Sequence, residues 1–121
     1  MLSPNMTILY VDKPEASGRF YADLLGRPPV EASPNFVLFA LPSGLMLGLW
    51  SRHTVEPAAT EAGGGEIATQ ATDAAAVEAI HAEWRRRGLA ILQPPTAMEF
   101  GHTFVALDPD GHRLRVFAPP A

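Results

Sequence analysis

Histidines and paired carboxylates are the first places to look for chemistry, since imidazole changes protonation near neutrality and is the commonest metal ligand. The chain has four histidines, His53, His81, His102 and His112. His53 sits where a strand gives way to a linker, His81 falls on the wet side of a helical stretch, and His112 lies in a turn, so all three read as solvated or structural. His102, after Phe100-Gly101, is the one placed to face a binding cavity. Asp108 and Asp110 enclose Pro109 and precede Gly111, a composition that forms turns and does not suggest a catalytic carboxylate pair. There is no cysteine, which removes disulfides, zinc-thiolate sites and cysteine nucleophiles. Gly63-Gly64-Gly65 lacks the Gly-Lys-Ser/Thr ending of a phosphate loop. No residue is assigned a catalytic role on type and spacing.

The whole-chain numbers bound the classes that remain. At 121 residues one domain, 1–121, is expected, with room for a sizeable core. Hydrophobic residues make up 47% and charged residues 18%, a globular balance. A formal net charge of −4 speaks against nucleic acid, which attracts basic patches. No apolar run approaches the roughly 20 residues of a membrane span, and Met1-Leu2-Ser3-Pro4-Asn5 has no leader-like pattern. A cytoplasmic protein without membrane contact is expected.

The elements that must position these residues follow from periodicity and punctuation. Met6 to Val11 is apolar and strand-forming. Asp12-Lys13-Pro14-Glu15 reads as a helix start with Asp12 as cap, and Ala16, Phe20, Tyr21, Leu24 and Leu25 recur at helical spacing up to Gly26. Strands are expected near 30–33, 36–41 and 45–51, the last two joined by Pro42-Ser43-Gly44. Residues 53–64 read as linker. The order then repeats: a strand over 66–72, a helix capped by Asp73 with Val77, Ile80 and Trp84 on one stripe, cations Arg85-Arg86-Arg87 at its C-terminal end, and strands near 90–93, 102–107 and 113–118. Phe39-Ala40-Leu41-Pro42-Ser43-Gly44 echoes Val105-Ala106-Leu107-Asp108-Pro109-Asp110-Gly111, with one residue added in the second turn. A repeated supersecondary unit is more telling than any single strand.

Val11 with Phe20-Tyr21 after the first strand, and Asp108-Pro109-Asp110-Gly111 before the last, resemble the vicinal-oxygen-chelate (glyoxalase, bleomycin-resistance, dioxygenase) superfamily. The resemblance covers nearly the whole chain. It extends to the small phenazine-antibiotic resistance proteins through Ile8-Leu9-Tyr10-Val11, Leu49-Trp50-Ser51, Phe100-Gly101-His102-Thr103-Phe104 and Asp108 to His112. It implies an α+β fold of two βαβββ modules, one at 4–52 and one at 65–121, forming a curled mixed sheet with the helices outside. Enzymes of the superfamily hold a divalent metal at four positions, which fall here on Met6, Gly48, Glu66 and Arg115. Only Glu66 suits a metal, because a thioether is soft, glycine has no side chain and Arg carries a permanent positive charge. Neither a metal nor another cofactor is expected.

Alternation along the strands then gives a lining for the cup that such a sheet forms. Met6, Ile8, Tyr10, Met46, Gly48 and Trp50 make an apolar, aromatic wall, with Gly48 leaving room for a ligand ring. Glu66 and Arg115, with Gln70 and Arg113, make a polar one. Met98, Glu99 and Phe100 follow Pro94-Pro95 in a loop at the mouth, and His102 completes the candidate ligand-binding set. Trp50 suits stacking on a planar ring, Met46 suits adaptable contact, and Arg115 suits a ligand carboxylate; core packing of Trp50 and an Arg115–Glu66 ion pair are the structural alternatives. The expected function is metal-independent binding and sequestration of a small planar aromatic compound of the phenazine type, and the resemblance to the resistance proteins implies a homodimer with its sites at the interface. The alternative is a metal-independent lyase or isomerase with Glu66 as general base, which a nearby Arg115 would disfavour by lowering the Glu66 pKa. A sensing subunit acting through a protein partner is a third reading.

Overall fold

A computed structural model describes residues 5–61 and 65–120; the triple glycine falls largely outside the described residues. Two compact units divide the chain, residues 1–62 and 63–121. In the first, β1 (Met6–Val11), α1 (Pro14–Leu25), β2 (Glu31–Ala32), β3 (Phe36–Ala40) and β4 (Met46–Ser51) follow in order. In the second, β5 (Glu66–Gln70), α2 (Ala74–Arg86), β6 (Ala90–Met98), β7 (Gly101–Leu107) and β8 (Arg113–Ala118) do the same. Each unit is βαβββ and each sheet is mixed, in the orders β1-β4-β3-β2 and β5-β8-β7-β6. The fold is α+β. No helix among the described residues is long and apolar enough to cross a membrane.

The helix starts differ. Asp73 caps α2, its carboxylate accepting from the Ala76 N–H at 2.8 Å. The cap position of α1 falls on Lys13, one residue after the expected Asp12. Of the expected Ala16, Phe20, Tyr21, Leu24 and Leu25, Tyr21 alone is fully buried, and Pro14, Ser17 and Gly18 complete the buried stripe of α1. Small residues there let the helix approach so closely that a Cβ on Gly18 would lie 3.3 Å from the Val37 methyls. In α2 only Val77 is fully buried, while Trp84 and His81 set their ring edges against Phe104 at 5.3 and 5.2 Å. His81 is thus a packing residue, not one on a wet face.

The two hairpin turns are equal in length, contrary to the expected extra residue. Leu41 N–H reaches Leu45 carbonyl and Gly44 N–H reaches Leu41 carbonyl, each at 3.0 Å; Asp108 with His112 and Gly111 with Asp108 repeat both bonds at 3.0 Å. Ala40 therefore corresponds to Leu107 and Phe39 to Ala106, one residue off the apparent sequence echo. Burial agrees, since Phe39 and Ala106 are both fully buried. The strand β6 runs on to Met98 through Pro94-Pro95, because register shifts between Ile91, Gln93 and Thr96 absorb the prolines. Met98 is accordingly a strand residue opposite Gly101, not part of a loop.

Candidate functional site

In unit 1 the alternation of β1 leaves one face of the sheet uncovered by α1. Val11 is fully buried, whereas Met6, Ile8 and Tyr10 are 45%, 40% and 46% exposed. Register carries this face across three strands: Met6–Met46–Ala40, Ile8–Gly48–Leu38 and Tyr10–Trp50–Phe36. The six unit 1 residues singled out from sequence thus lie on one face. Phe36, which sequence reasoning passed over, joins them with its ring edge-on to Trp50, centroids 6.0 Å apart. A Cβ on Gly48 would stand 3.0 and 3.1 Å from two Phe36 ring carbons. The space expected over Gly48 for a ligand ring is therefore taken by Phe36.

The corresponding face of unit 2 is polar and tightly bonded. Its rows are Glu66–Arg113–Leu107, Ala68–Arg115–Val105 and Gln70–Phe117–Thr103. Arg115 Nε donates to Glu66 Oε1 at 2.7 Å, and its Nη1 donates to Thr103 Oγ1 at 3.1 Å. The Thr103 hydroxyl in turn donates to the Val116 carbonyl at 2.9 Å. The guanidinium carbon also lies 5.6 Å from the centroid of the Phe100 ring, within cation–π range, and Phe100 sets its edge to Phe117 at 6.3 Å. Phe100 holds this place because the next residue is Gly101, with φ of 139°; any Cβ there would sit 1.9 Å from the Ala118 carbonyl oxygen. Thr103 is the second residue that sequence reasoning passed over, and both omissions become readable once hairpin register is fixed by the turns.

His102 does not belong to this face. Its Nε2 lies 2.6 Å from Glu78 Oε2 on α2, so it ties β7 to the helix instead of facing a cavity. Strand parity explains it: Thr103 and Val105 share the Arg115 side, so His102 and Phe104 must take the other. His53 Nε2 lies 2.6 Å from Asp12 Oδ1, with Arg52 at 3.8 Å. The His53 hydrogen bond, with the nearby cations, holds the Asp12 carboxyl below its usual value. Asp108, Asp110 and His112 could offer atoms within 4.8 Å of one another, but turn closure accounts for them. Asp108 Oδ1 accepts from the Asp110 and His112 N–H groups at 2.9 and 2.8 Å, and its Oδ2 lies 2.7 Å from His112 Nδ1. That hydrogen bond raises the His112 pKa, burial opposing it.

The positions at which superfamily enzymes hold a divalent metal do not suit one here. Phe36 closes over Gly48, and the Arg115 guanidinium occupies the Glu66 carboxylate at 2.7 Å. A divalent ion would meet one carboxylate already paired with a fixed cation, where zinc and magnesium ask for several anionic or neutral ligands.

Residues 3–116 match the model of the Glyoxalase/Bleomycin resistance protein/Dioxygenase superfamily, and the chain belongs to that superfamily. It is 30% identical over 118 residues, 95% of this chain and 91% of the relative, to phenazine antibiotic resistance protein EhpR of Enterobacter agglomerans. The solution NMR structure of protein ATC0852 from Agrobacterium tumefaciens is 56% identical, with full coverage of both chains and a TM-score of 0.91. A glyoxalase-related enzyme from Fulvimarina pelagi, 23% identical, covers 99% of this chain and 90% of its own with a TM-score of 0.84, a likeness of fold.

Proposed function

We propose that this protein binds and sequesters a small planar aromatic compound of the phenazine type without a metal, as an antibiotic resistance or immunity protein. The observation that carries the reading is the open face of unit 1, where half-exposed Met6, Ile8 and Tyr10 stand in register with Met46, Gly48 and Trp50. Apolar side chains left this exposed in neighbouring rows mark a binding surface more often than bare solvent contact, and aromatic and thioether groups suit a flat ring. The phenazine class rests on the similarity to the Enterobacter agglomerans resistance protein. A homodimer with the ligand at the interface between subunits is part of the proposal, since a second copy would cover such a face. The general-base alternative loses ground because Glu66 is engaged by Arg115 at 2.7 Å.

Titration with unsubstituted phenazine, followed by tryptophan fluorescence and corrected for ligand absorption, tests the reading. Saturable quenching in the micromolar range is expected, with the compound recovered unchanged. Trp50→Phe should weaken binding about fivefold, the scale of an aromatic contact of roughly 1 kcal/mol. Absence of binding, or binding indifferent to Trp50, would remove phenazines or this face from the account.

A further inference from the structure

Within the open face of unit 1, the glycine of β4 has a role that concerns another side chain. Phe36 on β3 stands directly opposite Trp50 on β4, and Gly48 is its diagonal neighbour, a separation that an aromatic side chain can span. The Phe36 ring takes that diagonal. Two of its carbons lie 3.0 and 3.1 Å from the place a Gly48 Cβ would occupy, and an Ile8 carbon lies 3.4 Å from the same place. Side chains from β3 and β1 thus converge over the one position of their row that carries none.

The ring so placed is held at both ends. At its root, the Phe36 N–H donates to Ser33 Oγ at 3.1 Å, and the Ser33 N–H donates to the Phe36 carbonyl at 2.9 Å. At its far side it meets Trp50 at an interplanar angle of 84°, with centroids 6.0 Å apart, a favoured aromatic geometry. Any side chain on Gly48 would push the ring away from this seat, and Trp50 would lose the neighbour that fixes its own plane.

We infer that Phe36 is a positioning residue that holds the Trp50 ring in its stacking orientation, and that residue 48 is glycine to admit Phe36 and not the ligand. This rests on the proposal that a planar aromatic compound binds on this face. Trp50 is the contacting residue, and Phe36 and Gly48 act through it.

A double-mutant cycle read with unsubstituted phenazine tests it, because residues that act through one another give non-additive effects. Gly48→Ala should weaken binding about fivefold, and so should Phe36→Leu, which removes the two ring carbons nearest Gly48; this is the scale of one aromatic pair. The double variant should bind within about twofold of Phe36→Leu, since the added methyl then displaces nothing. In a Trp84→Phe background, where Trp50 is the sole tryptophan, the emission anisotropy of the ligand-free protein should fall in both single variants. Effects that multiply to about twenty-five-fold in the double variant, or a Gly48→Ala protein that binds like the parent, would overturn this inference and leave the ring-binding proposal intact. Should Phe36→Leu fail to fold by circular dichroism, Gly48→Ala decides alone: affinity lost with Trp50 anisotropy unchanged assigns the glycine to the ligand and overturns the inference. A parent protein that does not bind phenazine overturns both readings.

Discussion

His112 shows how a residue that reads as a ligand candidate becomes a structural part once its partners are placed. Its ring nitrogen faces the Asp108 carboxylate at 2.7 Å, and that hydrogen bond raises its pKa above the usual 6.5. A histidine raised on folding contributes stability that is complete below its unfolded value and is lost as pH climbs through the folded one. The urea midpoint should therefore fall as pH rises from slightly acid to alkaline. His112→Asn, uncharged throughout, should lose that component of the slope, and an unchanged profile would show that the pair contributes nothing. The identities of Met6, Ile8, Tyr10, Gly48, Glu66 and Arg115 as face residues were legible in sequence because strand parity is a strict rule. Phe36, Thr103 and the true side of His102 were not, because each depends on pairing register, which no single strand displays.

At the level of elements, the two helices differ in how they begin. Asp73 accepts from Ala76 N–H at 2.8 Å, and Asp73→Ala should lower stability by about 1 kcal/mol, with Asp73→Asn retaining most of it. Urea unfolding of the two variants beside the parent would check this, and equal loss in both would point to charge instead of capping. The strands were largely readable from composition and turn residues, since Pro42-Ser43-Gly44 and Pro109-Asp110-Gly111 punctuate them clearly. The reach of β6 was not. Pro94-Pro95 ordinarily ends a strand, and only the register shifts around Gln93 allow Ala90–Met98 to stay paired with β7. The buried stripe of α1 has a similar origin: apolarity pointed to Ala16, Phe20, Tyr21, Leu24 and Leu25, but close approach to Val37 selects the small residues Ser17 and Gly18 beside Tyr21.

For the molecule as a whole, the repeat of βαβββ was the strongest signal in the sequence, and it fixes the fold because each half brings its own helix to its own sheet. The assembly is a separate question that composition does not reach. Light scattering on the eluting peak should give twice the 13.0 kDa of one chain. Ile8→Asp, placing a charge on the exposed face of β1, should shift the mass toward the monomer. A monomeric mass across concentrations would remove the homodimer from the proposal.

Pro94 and Pro95 also have a bearing on solution behaviour. The strand β6 is the outer member of its sheet, and an unpaired outer strand is a template onto which another chain can add. Two adjacent residues without N–H groups, at an irregularity in the ladder, interrupt the row of donors such an addition needs. This edge of the unit 2 sheet is thereby a poor template for the addition of another strand.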